Sequence, residues 1–217
     1  TLWEENGPEV LKYIAVDGPI GSGKTTLAKM LAESLGGHLC LEPSDKNPFL
    51  SEFYKDRKKN AFKTQLFFLL SRYQQQIELK QRDLFQQTIL TDYTFAKDSI
   101  FAEINLSEDE LVLYNTIFGL LKERLPKPEL VVYLRADSNV LLQRIKKRGI
   151  DFERSIDESY LDKLTEAYNR YFMNYNDTPL LVVDTTNQNY IENREDFETL
   201  KKEIFGHKGG TVHLIAR

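Results

Sequence analysis

Three glycines and a lysine–threonine pair, in the order Gly18-Pro19-Ile20-Gly21-Ser22-Gly23-Lys24-Thr25, stand between a short apolar run, Tyr13–Asp17, and a stretch of helical periodicity in which Leu27, Met30, Leu31 and Leu35 recur. Few folds accommodate that order. The apolar run reads as a strand buried on both faces, as in a parallel sheet, and Gly36-Gly37 stops the helix. Every fixed position of the P-loop pattern is filled, in the strand–loop–helix setting its mechanism needs. The glycines let consecutive N–H groups turn towards phosphate oxygens, and the helix N-terminus adds positive potential. Gly18, Pro19, Ile20, Gly21, Ser22, Gly23, Lys24, Thr25 and Thr26 are the expected nucleotide-binding residues, with Lys24 on the β/γ-phosphates and the Thr25 hydroxyl on Mg²⁺.

Further apolar runs at 38–41, 88–91, 130–134 and 180–183 alternate with helix-period stretches, the pattern of βαβ units. The expected architecture is α/β, a three-layer P-loop NTPase-type fold on a five-stranded parallel sheet with a short lid. The longest helical stretch, 62 to about 85, carries Phe62, Leu66, Leu69, Leu70, Tyr73 and Ile77 as its apolar stripe, with Gln65 and Arg72 beside it. Ser107-Glu108-Asp109-Glu110 and Ser155-Ile156-Asp157-Glu158 read as capping boxes opening helices to about Leu125 and about Asn174, and another helix spans 138–148. The polar stretch between them, about 149–157, is the candidate lid. At 217 residues the chain holds one domain, 1–205, followed by a tail, 206–217, whose three glycines leave open a mobile end or an added strand.

The net charge of −4 argues against a nucleic-acid-coating surface, so an anionic ligand needs a local positive site. A lone cysteine, Cys40, cannot form an internal disulfide, and the three histidines lack zinc-site spacing. Neither a signal peptide nor a membrane span is legible, and a cytoplasmic protein is expected.

Glu42-Pro43 follows the second apolar run, where the carboxyl ends of parallel strands form the ligand crevice. Such a carboxylate either takes a proton from an acceptor hydroxyl or is an ordinary loop residue in solvent. Asp92 and Asp98 pose the same choice, Asp92 being a second candidate for Mg²⁺. Arg144, Lys146, Lys147, Arg148 and Arg154 form either a solvated face or, beside a P-loop, a clamp on the transferring phosphoryl group.

With these residues in view the chain resembles the deoxynucleoside kinase family from about Tyr13 to Phe205. The resemblance rests on Asp17–Thr26, Glu42-Pro43, Asn47-Pro48-Phe49-Leu50 leading to Phe53-Tyr54-Lys55-Asp56, Gln65, Asp92–Ala102, and Arg144–Glu153 with Tyr160-Leu161. It implies transfer of the γ-phosphate of ATP, with Mg²⁺, to the 5′-hydroxyl of a deoxynucleoside. Glu42 matches the general base, Tyr54 and Glu153 the residues holding the sugar 3′-hydroxyl, and Gln65 the amide that pairs with the base edge. Arg72 and Asp98 match a charged pair near the base in kinases accepting purine deoxynucleosides and deoxycytidine. Lys24 and Arg148 match groups that stabilise the transferring phosphate, with Arg144 and Arg154 as further candidates. A homodimer through the long helices is also implied.

Two positions depart from the family pattern. Tyr93 stands where an arginine often follows the third-strand acid, and Ile150 stands where a second lid arginine falls, so positive charge must come from elsewhere. A nucleoside monophosphate kinase of the thymidylate kinase type, or a nucleotide-binding regulator without transfer activity, are the competing readings.

Overall fold

A computed structural model describes residues 11–81, 87–187 and 190–214, with the side chains of positions 81 and 152 left aside. Six strands form one parallel sheet: β1 (Tyr13–Asp17), β2 (His38–Cys40), β3 (Ile89–Thr91), β4 (Leu130–Arg135), β5 (Leu180–Asp184) and β6 (Thr211–Leu214). Their spatial order is β2-β3-β1-β4-β5-β6. The expected five strands become six because 211–214 pairs with β5 at the sheet edge. Its Thr-Val-His-Leu sequence is largely exposed and carries no continuous apolar run, since an edge strand buries only part of its surface.

Alternation along the central strands divides the core. Tyr13, Ala15, Val131, Tyr133, Leu180 and Val182 point to one face, and Ile14, Val16, Val132, Leu134, Leu181 and Val183 to the other. Burying each large aliphatic side chain contributes roughly 1.5–3 kcal/mol, which is why these strands read as unbroken apolar runs. The second face is covered by α1 (Lys24–Leu35) and α8 (Arg194–Gly206). The first is covered by α2 (Leu50–Lys55), α3 (Arg57–Gln81), α4 (Lys97–Asn105), α6 (Ser138–Arg148) and α7 (Glu158–Met173). A further helix, α5 (Glu108–Lys122), packs on α3 and α4 through Tyr114, Leu69 and Ala102. None of the described helices is long and apolar enough to cross a membrane.

The helix expected over 62–85 starts at Arg57, and its last residues lie outside the described ones. Its buried stripe is also displaced. Thr64, Gln65, Phe68, Leu69, Arg72, Gln76 and Leu79 are buried, whereas Phe62, Leu66, Tyr73 and Ile77 are half-buried and Leu70 is 49% exposed. The polar inward face is satisfied by tertiary partners: the Gln76 amide donates to Tyr13 Oη at 3.0 Å, and Thr64 Oγ1 to the Asn60 carbonyl at 2.7 Å.

The Ser107–Glu110 capping box forms, with the Ser107 N–H donating to Glu110 Oε2 at 3.0 Å, and its helix ends at Lys122, short of Leu125. The second box does not form. Asp157 caps α7 instead, accepting from the Tyr160 N–H at 2.7 Å, while Ser155 Oγ donates to the Tyr54 carbonyl at 3.0 Å. Between α6 and α7 the candidate lid holds a 3₁₀ turn, Asp151–Ser155. The 206–217 tail supplies β6, and residues 215–217 lie outside the described ones.

Candidate active site

The loop from β1 to α1 is drawn tight against the sheet. A Cβ on Gly18 would lie 2.4 Å from the Leu134 carbonyl oxygen, and Gly23, at φ +91°, caps α1 in the left-handed region that favours glycine. Asp17 anchors the loop from below: its Oδ1 accepts from the Gly18 N–H at 2.7 Å and its Oδ2 from the Thr94 N–H at 3.0 Å. Burial raises the Asp17 carboxyl, against the pull of Lys97 and these donors. Ser22 Oγ is buried with no hydrogen-bond partner among the described residues. A cradle closed to a Cβ, an orphaned hydroxyl and the N-terminus of a 12-residue helix together fit a nucleotide's phosphates.

The Thr25 hydroxyl donates to Asp92 Oδ2 at 2.5 Å, so both residues expected at Mg²⁺ meet at one point just past β3. Asp92 Oδ1 accepts from the Glu42 N–H at 2.8 Å, which ties the end of β2 to the same point. A hydroxyl beside a carboxylate is a donor set that fits Mg²⁺, which takes one or two protein oxygens and completes its shell with phosphate and water.

These groups open on a cavity of about 380 Å³. Ile20, Lys24, Thr25 and Thr26 of the phosphate loop line it, with Glu42, Asp92, Tyr54, Arg148 and Glu153, and with Gln65 and Arg72 from the same face of α3. Leu50, Phe53, Phe68 and Phe101 supply apolar surface, and Ile150 also reaches the cavity. The volume lies in the roughly 300–1,000 Å³ range of small-molecule sites.

The Glu42 carboxylate takes two cations. Arg72 Nη2 donates to its Oε1 and Lys97 Nζ to its Oε2, the latter at 2.5 Å. Burial pushes this carboxyl up, but Arg72, Lys97 and Lys24 together outweigh it and hold it at about 2. Arg72 also donates through Nη1 to Asp98 Oδ1, and Asp98 Oδ2 accepts from the Tyr114 hydroxyl at 2.6 Å. The guanidinium, paired with both carboxylates, is held firmly charged despite its burial. On the same cavity Arg148 donates to both Glu153 oxygens, at 2.7 and 2.5 Å. Burial lowers the Lys24 ammonium to about 8, and Lys97 acts in the same direction.

Of the expected site residues, Gly18, Pro19, Gly21, Ser22 and Gly23 of the phosphate loop do not line this cavity, and three outside the loop also lie off it. Asp98 sits behind Arg72, fully buried. Arg154 is exposed and pairs with Asp151 at 2.8 Å. Arg144 donates to the Thr185 hydroxyl at 2.9 Å and carbonyl at 2.6 Å, in a small hollow behind the phosphate loop shared with Ser22, Gly23 and Tyr190. The sequence does not single out Lys97 or Tyr114: Lys97 lies inside the Asp92–Ala102 stretch but, like Tyr114, makes its contact, to Glu42 and Asp98 respectively, only through the tertiary fold.

Comparison with known proteins bears on the family and the fold. The deoxynucleoside kinase family profile matches residues 14–207. The chain is 37% identical over 197 residues to the deoxyguanosine kinase of Bacillus subtilis, covering 88% of this chain and 95% of that one. It is 30% identical over 209 residues to the deoxyadenosine kinase of Lactobacillus acidophilus, covering 90% and 95%. Among solved structures, the M. mycoides deoxyadenosine kinase with bound dATP superposes with a TM-score of 0.78 at 28% identity, over 89% of this chain and 98% of that one. The same enzyme with the products dCMP and a flexible dCDP gives 0.77 at 29% identity, over 89% and 99%. With a phosphate loop, a carboxylate-walled cavity and these relatives in hand, the chain belongs to the deoxynucleoside kinase family and is a nucleoside phosphotransferase.

Proposed function

We propose that the chain transfers the γ-phosphate of ATP to the 5′-hydroxyl of a deoxynucleoside, with a purine deoxynucleoside or deoxycytidine as acceptor. The observation that carries this reading is the position of Glu42, which lines the same cavity as Lys24 and Thr25 of the phosphate loop and as Tyr54, Gln65 and Glu153. An acceptor hydroxyl beside Glu42 lies between the phosphate loop and a pocket shaped for a sugar and a base.

In this reading Tyr54 and Glu153 hold the 3′-hydroxyl and the Gln65 amide pairs with the base edge, donating and accepting at once. Arg72 presents donors suited to purine acceptor atoms such as N7, and relatives named deoxyguanosine and deoxyadenosine kinase support a purine. Glu42 orients the 5′-hydroxyl and takes its proton as the bond to phosphorus forms. A carboxylate held near 2 is a weak base, which suits a loose phosphoryl-transfer transition state that asks more of positioning than of proton abstraction. Lys24, Arg148 and the loop N–H groups stabilise the phosphoryl oxygens, and Arg144 stands behind the phosphate loop as a further positive charge on the nucleotide side. Bound Mg²⁺ supplies charge neutralisation across the phosphates, and Thr25 and Asp92 are the residues that would hold it. Residues 149–157 act as the lid that excludes water, and Arg154, exposed here, joins the phosphates only if that segment closes. A homodimer through α3 and α5 is part of the proposal, because Leu70, Val112, Leu113 and Leu120 are 49–70% exposed on that side.

Single-turnover transfer in Glu42→Gln tests the assignment. The chemical step is expected to slow by about 10²–10⁴-fold with ATP binding retained. An unchanged chemical step contradicts it.

A further inference from the structure

We propose that Lys97 is a positioning residue for phosphoryl transfer: together with Arg72 it fixes the Glu42 carboxylate from both sides, so that its remaining lone pairs face the acceptor hydroxyl. The inference rests on the reading of Glu42 given above.

Lys97 opens α4 and is 5% exposed, yet its ammonium reaches the cavity and meets Glu42 Oε2. That placement is costly in two ways. A buried ammonium loses its hydration, and a cation at a helix N-terminus opposes the helix dipole. Lys24 lies close enough for the two charges to repel. A lysine serving only to fill space has no reason to sit there.

Charge accounting supplies the reason. Arg72 is divided between two carboxylates, Glu42 on the cavity wall and Asp98 behind it, so it cannot neutralise both. Lys97 provides the second positive charge and contacts Glu42 alone of the two, at 2.5 Å. With one cation on each oxygen the carboxylate plane is fixed, and each oxygen keeps a second lone pair for a substrate hydroxyl. Tyr93 cannot take this part. It is fully buried, and its hydroxyl donates to Gln75 Oε1 at 3.0 Å.

The charged and titratable groups facing this corner are Asp17 at the end of β1, Lys24 on α1, Arg72 on α3, Asp92 after β3, Asp98 on α4 and Tyr168 on α7. Arg148 and Glu153 line the same cavity and pair with each other. Only Arg72 and Lys97 touch the Glu42 carboxylate among the described residues.

The test compares the wild type with Lys97→Met, Lys97→Arg and Glu42→Gln in phosphoryl transfer, with thermal unfolding as the check on folding. Lys97→Met is expected to lower kcat by about 10–100-fold, the scale of a supporting partner, while KM for the deoxynucleoside moves far less, and Lys97→Arg restores kcat. Added to Glu42→Gln, which leaves no carboxylate to hold, Lys97→Met is expected to lower kcat little further, because the two side chains act as one unit. If the methionine variant does not fold, Lys97→Gln, uncharged but still a donor, carries the same comparison. An unchanged kcat in a folded Lys97 variant, or a loss equally large with and without the Glu42 charge, overturns the inference. If the wild type transfers no phosphate to any deoxynucleoside, the proposed function fails, and a urea-denaturation double-mutant cycle of Lys97→Met with Glu42→Gln still decides whether the two side chains are coupled.

Discussion

Thr25 and Asp92 meet through a 2.5 Å hydrogen bond that joins the first turn of α1 to the residue following β3. Because Asp92 also accepts from the Glu42 N–H, one carboxylate links the phosphate loop to the residue that follows β2. The spacing between the loop and Glu42 is thereby tied to the ends of neighbouring strands.

Asp92→Asn keeps the shape but removes the charge. The Mg²⁺ concentration giving half-maximal transfer is expected to rise by about 10–100-fold, with little change in KM for the deoxynucleoside. A magnesium titration of the transfer rate measures it, and an unchanged half-saturation point argues against Asp92 at the metal.

Lys24 gives a pH dependence of defined sign. Its charged form is the protonated one, and burial has lowered it to about 8, so the loop keeps this charge below that pH and loses it above. ATP affinity is expected to weaken between pH 7 and 9 by calorimetry, and Lys24→Arg, charged throughout, is expected to show a flatter dependence. Equal slopes for the two proteins count against the assignment.

Asp98 and Tyr114 hold Arg72 from behind. Asp98→Asn removes one partner of a fully buried pair and is expected to destabilise the fold by about 3 kcal/mol. Tyr114→Phe leaves one carboxylate oxygen without its donor and is expected to cost about 1–3 kcal/mol. Urea denaturation measures both, and a double-mutant cycle is expected to show coupling because the two side chains share one hydrogen bond.

The parts of this architecture that were legible in the sequence are those fixed by local chemistry. Tyr13–Asp17 and the loop after it declare themselves because a strand covered on both faces must be apolar throughout and a phosphate cradle must be rich in glycine. The edge strand 211–214 did not, since half of it meets solvent. The apolar stripe of α3 was only partly legible because Gln65 and Arg72 turn inward to line the cavity, while Phe62 and Leu66 pack with Leu69 beside α5 and Leu70 is exposed. The role of Lys97 was beyond sequence reading because its partner, Glu42, lies 55 residues earlier and the direct pairing of β2 with β3 brings them together.

The exposed apolar side of α5 predicts assembly. Leu113→Asp with Leu120→Asp is expected to weaken the homodimer by about 30-fold or more, the effect of losing central apolar contacts. Sedimentation equilibrium reads the change, and a wild-type protein that sediments as a monomer at every concentration contradicts the dimer.

The most direct measurement is transfer of labelled γ-phosphate from ATP with Mg²⁺ to deoxyguanosine, deoxyadenosine, deoxycytidine and thymidine, with the four corresponding monophosphates alongside. Label on a purine deoxynucleoside or deoxycytidine, and none on the monophosphates, is the predicted result. Label confined to a monophosphate, or on no acceptor at all, contradicts the account.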